Sequence, residues 1–304
     1  MTRLLSDLST ASFRLPSIVS LGKERSAYSR PKEICHFSFD ENRNLLLASN
    51  AALSKYYPQE LPYNLHQGYP DDYTQRNDEE EYLDALLNAI QNEKLEKKPS
   101  FVTWRGIMTL IVCTPYQQRD DWELKASLVE GTIYLMQVKQ PQAEQDPVNT
   151  YYGYKFEASF TGPIDGPSSE PPVVNTNIQY CSVFQAKLSR HNLILGGEVD
   201  CIHNDQYCEL KTHKVIENDR MESSLRKYKM LKTYIQSHLA GVAYMIFGFK
   251  KDQEIVAVKE YKTSQIPVMC ADHWNRHVCF NFGSKMTEIQ SLECATIPGK
   301  EQLK

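Results

Sequence analysis

Residues 193–212 read Leu193-Ile194-Leu195-Gly196-Gly197-Glu198-Val199-Asp200-Cys201-Ile202-His203-Asn204-Asp205-Gln206-Tyr207-Cys208-Glu209-Leu210-Lys211-Thr212. Apolar residues lead into both halves, and the polar gap His203-Asn204-Asp205-Gln206 has the composition of a hairpin turn. Both halves therefore read as strands. Side chains alternate along a strand, so Glu198 and Asp200 share one face, and Glu209 shares its own face with Lys211. When the strands pair, three carboxylates and one ammonium meet on one small patch. Bare anions repel strongly at that range, which calls for a positive charge the sequence does not contain. A hard divalent cation with oxygen ligands supplies it, and Mg²⁺ or Mn²⁺ is the natural choice.

A solvated salt-bridge ladder is the plain alternative, but ladders alternate their signs and this patch does not. An Asp followed by Glu-x-Lys on the next strand resembles the core of metal-dependent PD-(D/E)xK nucleases. That resemblance implies carboxylates that hold metal and a lysine that orients and helps deprotonate water.

Length and composition set bounds around the motif. At 304 residues the chain is long enough for one large domain or two small ones. Eighteen Tyr and eleven Phe suit base stacking as well as a plain core. A net charge of −4 argues against a high-affinity non-specific nucleic-acid binder, though not against an enzyme with a locally basic groove. The cysteines at 35, 113, 181, 201, 208, 270, 279 and 294 include no C-x-x-C pair and suggest a reducing compartment. Cys201, His203, Cys208 and His213 match no common zinc spacing, so core or interface packing is preferred for them. No apolar run approaches the ~20 residues of a membrane span, and a cytosolic or nuclear protein is expected.

Along the chain, residues 1–30 read as a flexible arm or an irregular docking strand, and 31–304 as a single α+β domain. Residues 56–73 read as a loop and 78–94 as a helix with the stripe Tyr82, Leu83, Leu86, Leu87 and Ile90. From Phe101 to Val138 the runs are β-prone, with a turn near Glu130-Gly131. Residues 139–150 and 161–177 read as loops, and Tyr180 to Thr212 as three strands. Asp219 to Leu239 predicts a helix with Gly241 near its C-cap, followed by a hairpin over 242–249 and 254–260. The tail after Cys270 has no clear pattern.

Further chemistry sits in β-like surroundings. Tyr152-Gly153-Tyr154-Lys155-Phe156-Glu157 ends an aromatic alternation on Glu157, and Thr103-Trp104-Arg105-Gly106 sets a guanidinium beside an indole. Taken singly, Glu157 reads as a solvated strand end and Arg105 as a salt-bridge partner. Lys229, Lys232 and Gln236 share a helix face, ordinarily a solvated one, that would also suit a phosphate backbone.

Together these motifs resemble the family of the decapping exoribonuclease DXO and its fungal relatives that partner the nuclear 5′–3′ exoribonuclease. The matching pieces are Trp104-Arg105-Gly106 with Thr114-Pro115-Tyr116, Gly153 to Glu157, Gly197 to Cys201, Glu209 to Thr212, and the helix from Lys229 to Gly241 carrying Gln236. The resemblance implies two packed mixed β-sheets flanked by helices around a PD-(D/E)xK-like core. It implies that Glu157, Asp200, Glu209 and the Leu210 carbonyl hold two divalent cations, Mg²⁺ or Mn²⁺, with Glu198 a further ligand directly or through water. Lys211 and Gln236 would position the scissile phosphate and the attacking water, and Arg105 would contact RNA phosphate. The implied activity is hydrolysis of RNA 5′ ends: triphosphates, unmethylated guanosine caps and NAD caps, with mature methylated caps poorer. The resemblance covers relatives that stop after the first cut and relatives that run on 5′ to 3′.

The resemblance also implies a monomer with RNA 5′ ends and a 5′–3′ exoribonuclease as partners, without a membrane, in the nucleus and to some extent the cytoplasm. Three departures accompany it. Leu231-Lys232-Thr233-Tyr234-Ile235-Gln236 stands where many relatives carry paired tryptophans, the loop from Asp200 to Glu209 is short, and the chain ends about where another closing element is expected. Two rivals remain: a PD-(D/E)xK DNA endonuclease, which would not account for the Trp104 and Gly153 motifs, and a non-catalytic family member, which would not need the full carboxylate set.

Overall fold

The computed structural model describes residues 16–23, 27–77, 82–95, 97–117, 121–138, 146–167 and 172–294. Among these, two seven-stranded sheets, a two-stranded parallel pair (Tyr73–Thr74 with Val174–Asn175) and the helices around them make up the fold. The first sheet runs Leu45–Leu47, Lys32–Phe39, Gln179–Leu188, His191–Glu198, Phe101–Trp104, Thr132–Gln137, Leu124–Val129. The second runs Tyr63–Asn64, Glu254–Lys262, Tyr244–Lys251, Gln206–Lys214, Cys201–His203, Lys55–Tyr56, Thr161–Gly162. Both are mixed: His191–Glu198 pairs parallel with Phe101–Trp104, and Gln206–Lys214 pairs parallel with Tyr244–Lys251. The expected mixed sheets flanked by helices are present.

The segment that decides the fold is divided between the sheets. His191–Glu198 lies in the first, paired antiparallel with Gln179–Leu188, and the chain crosses to the second at Val199-Asp200. The hairpin partner of Gln206–Lys214 is therefore the short strand Cys201–His203, with Cys201 opposite Cys208. This corrects the reading of 193–200 as the hairpin arm. The turn is also tighter than expected: Asn204 and Asp205 both take positive φ, which is the two-residue hairpin conformation that Asn and Asp tolerate. Residues 179–214 thus hold four strands rather than three.

Two elements read as β are helices. Arg105–Cys113 buries Arg105, Ile107, Met108, Thr109, Ile111, Val112 and Cys113, so its sequence shows no polar face from which helical periodicity could be recognised. Pro147–Ser159 starts where a loop was expected, with Pro147 in the first turn and Asp146 accepting from the Val148 and Asn149 amides. Its buried residues Tyr151, Tyr152, Lys155, Phe156 and Ser159 follow helical spacing. The apparent two-residue alternation arose because Tyr154, 38 % exposed, adds an aromatic to the outer face.

Other expectations hold or shift. Glu130 and Gly131 form a positive-φ turn, Gly241 has φ +68° past the helix end, and Tyr244–Lys251 pairs antiparallel with Glu254–Lys262. The helix expected over 78–94 is described as Asp84–Ile90; residues 78–81 lie outside the described residues. The helix over 219–239 is interrupted by a π-helical turn, Leu225–Lys229, between Asp219–Ser224 and Met230–Leu239. The patternless tail contains the helix Arg276–Cys294, whose Val278, Cys279, Phe280 and Phe282 enter the core.

Of residues 1–30, the described part is docked rather than free. Leu21 is 2 % exposed, the Asn281 amide donates to its carbonyl at 2.6 Å, and Tyr28 stacks on Phe280. At the altered helix, Tyr234 is buried and stacks between His238 and Trp274, so an indole from another segment supplies the second ring. Among the described residues no helix is long and apolar enough to cross a membrane.

Candidate metal and active site

The site forms where the chain passes between the sheets. Parallel pairing of Phe101–Trp104 with His191–Glu198 puts Trp104 beside Gly196, and hence Arg105 beside Gly197. A Cβ on Gly197 would lie 2.9 Å from Arg105 Nε, so only glycine lets the guanidinium pass. Arg105 Nη2 donates to the Glu198 carbonyl at 2.7 Å, and the residue is only 6 % exposed. Arg105 therefore braces the Glu198 backbone with one edge of a largely buried guanidinium. Its Nε is buried without a partner.

On the second sheet, the Leu210 amide donates to Asp200 Oδ2 at 2.7 Å, which ties the crossing point to the strand Gln206–Lys214. Lys211 Nζ lies 2.5 Å from Glu209 Oε1, 2.8 Å from the Leu210 carbonyl and 3.6 Å from Asp200 Oδ2. Three oxygens expected to hold metal thus converge on one positive charge. From the helix Met230–Leu239, Gln236 Nε2 donates to the same Glu209 Oε1 at 2.5 Å. Lys229, displaced by the π-helical turn, donates to the Thr212 carbonyl, while Lys232 is exposed. Glu157 joins from the helix Pro147–Ser159. That helix is anchored by buried Lys155, whose Nζ donates to the Pro172 carbonyl at 2.7 Å.

Electrostatics mark the patch as overloaded with negative charge. Burial first, then Asp200, Glu198 and Glu209, push the Glu157 carboxyl well above its ordinary value, with Lys211 acting against them. Burial and then Glu209 raise Asp200 to about 7, again against Lys211. Crowding by protein, then Glu209, raises Glu198, whose side chain still reaches water at the mouth. Burial works against the Lys211 ammonium, yet Asp200, Glu209 and Glu157 together hold its proton more tightly than usual.

The donor set fits a hard divalent cation. It consists of carboxylate and carbonyl oxygens, its charge is in excess, and Glu209 Oε2 is buried with no hydrogen-bond partner. Among the described residues, no three His, Cys, Asp or Glu side chains gather as closely as the ligands of one ion do. The Lys211 ammonium stands between two of them, so ligation requires it to swing aside. The zinc alternative gains nothing: Cys201 and Cys208 are buried in the core, and His203 pairs with Glu260 at 3.0 Å.

Metal binding must displace the protons that crowding keeps on these carboxylates. Apparent Mn²⁺ affinity should therefore fall by at least about tenfold per pH unit as pH drops below the Asp200 value of about 7. Calorimetric titration between pH 5.5 and 8 checks this; a flat affinity would mean that the carboxylates are ionised throughout.

Beyond the patch lies a basic cavity of about 440 Å³, lined by Thr212, His213, Lys214, Lys229 and Lys250 among others. Burial, then Lys211 and Lys250, lower Lys229 to about 8. Lys214 and Lys250 had no sequence signal, because the cluster draws one lysine from each of three separate elements.

Comparison with known proteins gives a consistent picture. A family model described as RAI1-like PD-(D/E)XK nuclease matches residues 29–300. The decapping and exoribonuclease protein of Xenopus laevis is 35% identical, over 87% of this chain and 76% of the relative. The decapping nuclease RAI1 of Neurospora crassa is 33% identical, over 92% of this chain and 76% of the relative. The crystal structure of S. pombe Rai1 in complex with 3′-FADP superposes with a TM-score of 0.80 at 30% identity, covering 93% of this chain and 92% of that chain.

Proposed function

This chain belongs to the RAI1-like PD-(D/E)XK nuclease family, and on that premise we propose that it removes incomplete caps, NAD caps and triphosphates from RNA 5′ ends. It is a hydrolase of RNA 5′ ends. The observation that carries the reading is the convergence of Glu209 Oε1, the Leu210 carbonyl and Asp200 Oδ2 on one cationic point, with Glu157 and Glu198 beside it. Divalent cations serve the site; that they are Mg²⁺ or Mn²⁺, and two of them, is part of the proposal. When bound, they lower the pKa of water and neutralise the phosphoryl oxygens.

The chain's own residues do the rest. Glu157, Asp200, Glu209 and the Leu210 carbonyl hold the cations, and Glu198 is braced against the site by Arg105. With Lys211 released from Glu209, its ammonium donates to the attacking water or the scissile phosphate. Gln236 fixes Glu209 through its amide and presents its remaining donor to the phosphate. Arg105 contacts substrate phosphate through the guanidinium edge that Glu198 does not take. The intact carboxylate set speaks against a non-catalytic binding role. We extend the proposal, on family grounds, to a monomer that acts in the nucleus and docks a 5′–3′ exoribonuclease.

The test is direct. 5′-triphosphate, unmethylated-capped, methylated-capped and NAD-capped RNA are incubated with the protein and Mg²⁺ or Mn²⁺, and each product is identified. Cleavage of the first, second and fourth ahead of the methylated cap is expected. Equal rates on methylated and unmethylated caps would remove the proposed preference for incomplete caps.

A further inference from the structure

Most buried glycines of this fold have a visible reason. A Cβ on Gly283, within the helix Arg276–Cys294, would come 2.8 Å from Val112 Cγ2, and one on Gly248 would come 2.6 Å from Phe156 Cε2. Gly153, only half-buried, has no such reason. It sits midway along Pro147–Ser159 without a positive φ, and a Cβ there would meet nothing within 4 Å. Glycine destabilises a helix interior relative to alanine, so neither packing nor backbone accounts for it. Gly106 is also open, but it lies in the first turn of its helix, outside the interior where glycine is most unfavourable.

The surroundings of Gly153 point to a ligand. It lies one turn before Glu157 and, with Asp146, Asn149, Thr150, Tyr154 and Glu157, lines a cavity of about 430 Å³. The depression is open to solvent on one side and has room for a nucleoside to lie along the helix. This wall sets the Asn149 amide, the Thr150 hydroxyl and the partly exposed Tyr154 phenol beside the Asp146 and Glu157 carboxylates. The lysine-lined cavity beyond Asn149 is the better place for phosphates. An aromatic wall bordered by amide, hydroxyl and carboxylate acceptors suits the ring and hydroxyls of a nucleoside.

We propose that Gly153 is a specificity-determining substrate contact: its bare backbone lets the sugar or base of the 5′-terminal nucleoside lie against the helix beside Tyr154. This rests on the reading of the site as an RNA 5′-end hydrolase. A side chain at position 153 would occupy the plane that the ring needs.

Steady-state kinetics on 5′-triphosphate RNA, with thermal unfolding of the same samples, test it for wild type, Gly153→Ala and Gly153→Leu. Alanine should raise Tm by ~1–3 °C through helix propensity. It should also raise KM about tenfold, and leucine about a hundredfold, with kcat changed less than threefold. A KM within twofold of wild type in both variants overturns the proposal. So does a fall in kcat at constant KM, or activity lost only in step with a lower Tm. If the wild type cleaves no RNA end, the hydrolase reading fails instead. Fluorescence anisotropy with a 5′-phosphorylated oligonucleotide then still decides Gly153: equal affinity for all three proteins removes it from the contact.

Discussion

Asp200→Asn and Glu209→Gln should each abolish hydrolysis of every RNA 5′ end, by about 10³-fold or more, while the protein still folds. Both side chains point at the place where Lys211 now lies, and each variant removes one charge from the oxygens that attract a cation. The fold should survive because Asn at 200 can still accept the Leu210 amide through its carbonyl oxygen. Stability of metal-free Asp200→Asn should depend on pH in a defined direction. The wild-type carboxyl is raised from 3.8 to about 7, so the folded state binds its proton more tightly than the unfolded state does. The stability held by that proton is fully present below about 3.8 and is lost as pH rises to about 7. Asn has no proton to lose. Its Tm should match wild type near pH 4 and equal or exceed it at pH 8. Near-wild-type hydrolysis by either variant would sink the site assignment, and a Tm advantage that grows toward acid pH would refute the electrostatic account.

Lys211→Ala separates catalysis from metal holding. The ammonium occupies Glu209 Oε1 and the Leu210 carbonyl, two of the oxygens assigned to the cation. Removing it frees donors and removes a competing positive charge, so Mn²⁺ affinity should stay level or increase. Turnover should fall by about 10²-fold or more, the scale of losing one positioned electrostatic donor. Arginine should rescue poorly, because its planar fork cannot replace a compact ammonium between a carboxylate and a carbonyl. Calorimetric Mn²⁺ titration beside single-turnover rates reads both quantities. Parallel loss of metal binding and rate would make Lys211 structural.

An aromatic stack packs on the same helix that carries Gln236. Tyr234 keeps a ring in the core through Trp274, while Gln236 still reaches Glu209. Trp274 comes from a distant segment, so no local motif reveals this contact.

What the sequence alone determined is the chemistry. Glu198, Asp200, Glu209 and Lys211 lie within 14 residues, and the motifs around Trp104 and Gly153 follow the family order, so residue types and spacing sufficed to identify the family and the reaction class. Short-range periodicity also gave the hairpin over Tyr244–Lys251 and Glu254–Lys262 and the apolar stripe of Met230–Leu239. The tertiary structure decided where that chemistry sits. It put Glu157 on a helix, moved Glu198 to a different sheet from Glu209, tied Arg105 to the Glu198 carbonyl, and gathered Lys214, Lys229 and Lys250 around one cavity. Helices buried on nearly every side, such as Arg105–Cys113, lose the polar face that makes periodicity readable. A strand that changes sheets at Val199-Asp200 keeps its local alternation while exchanging all its partners. Alternation is a property of neighbouring residues, whereas the choice of partners depends on how the whole chain buries its apolar surface.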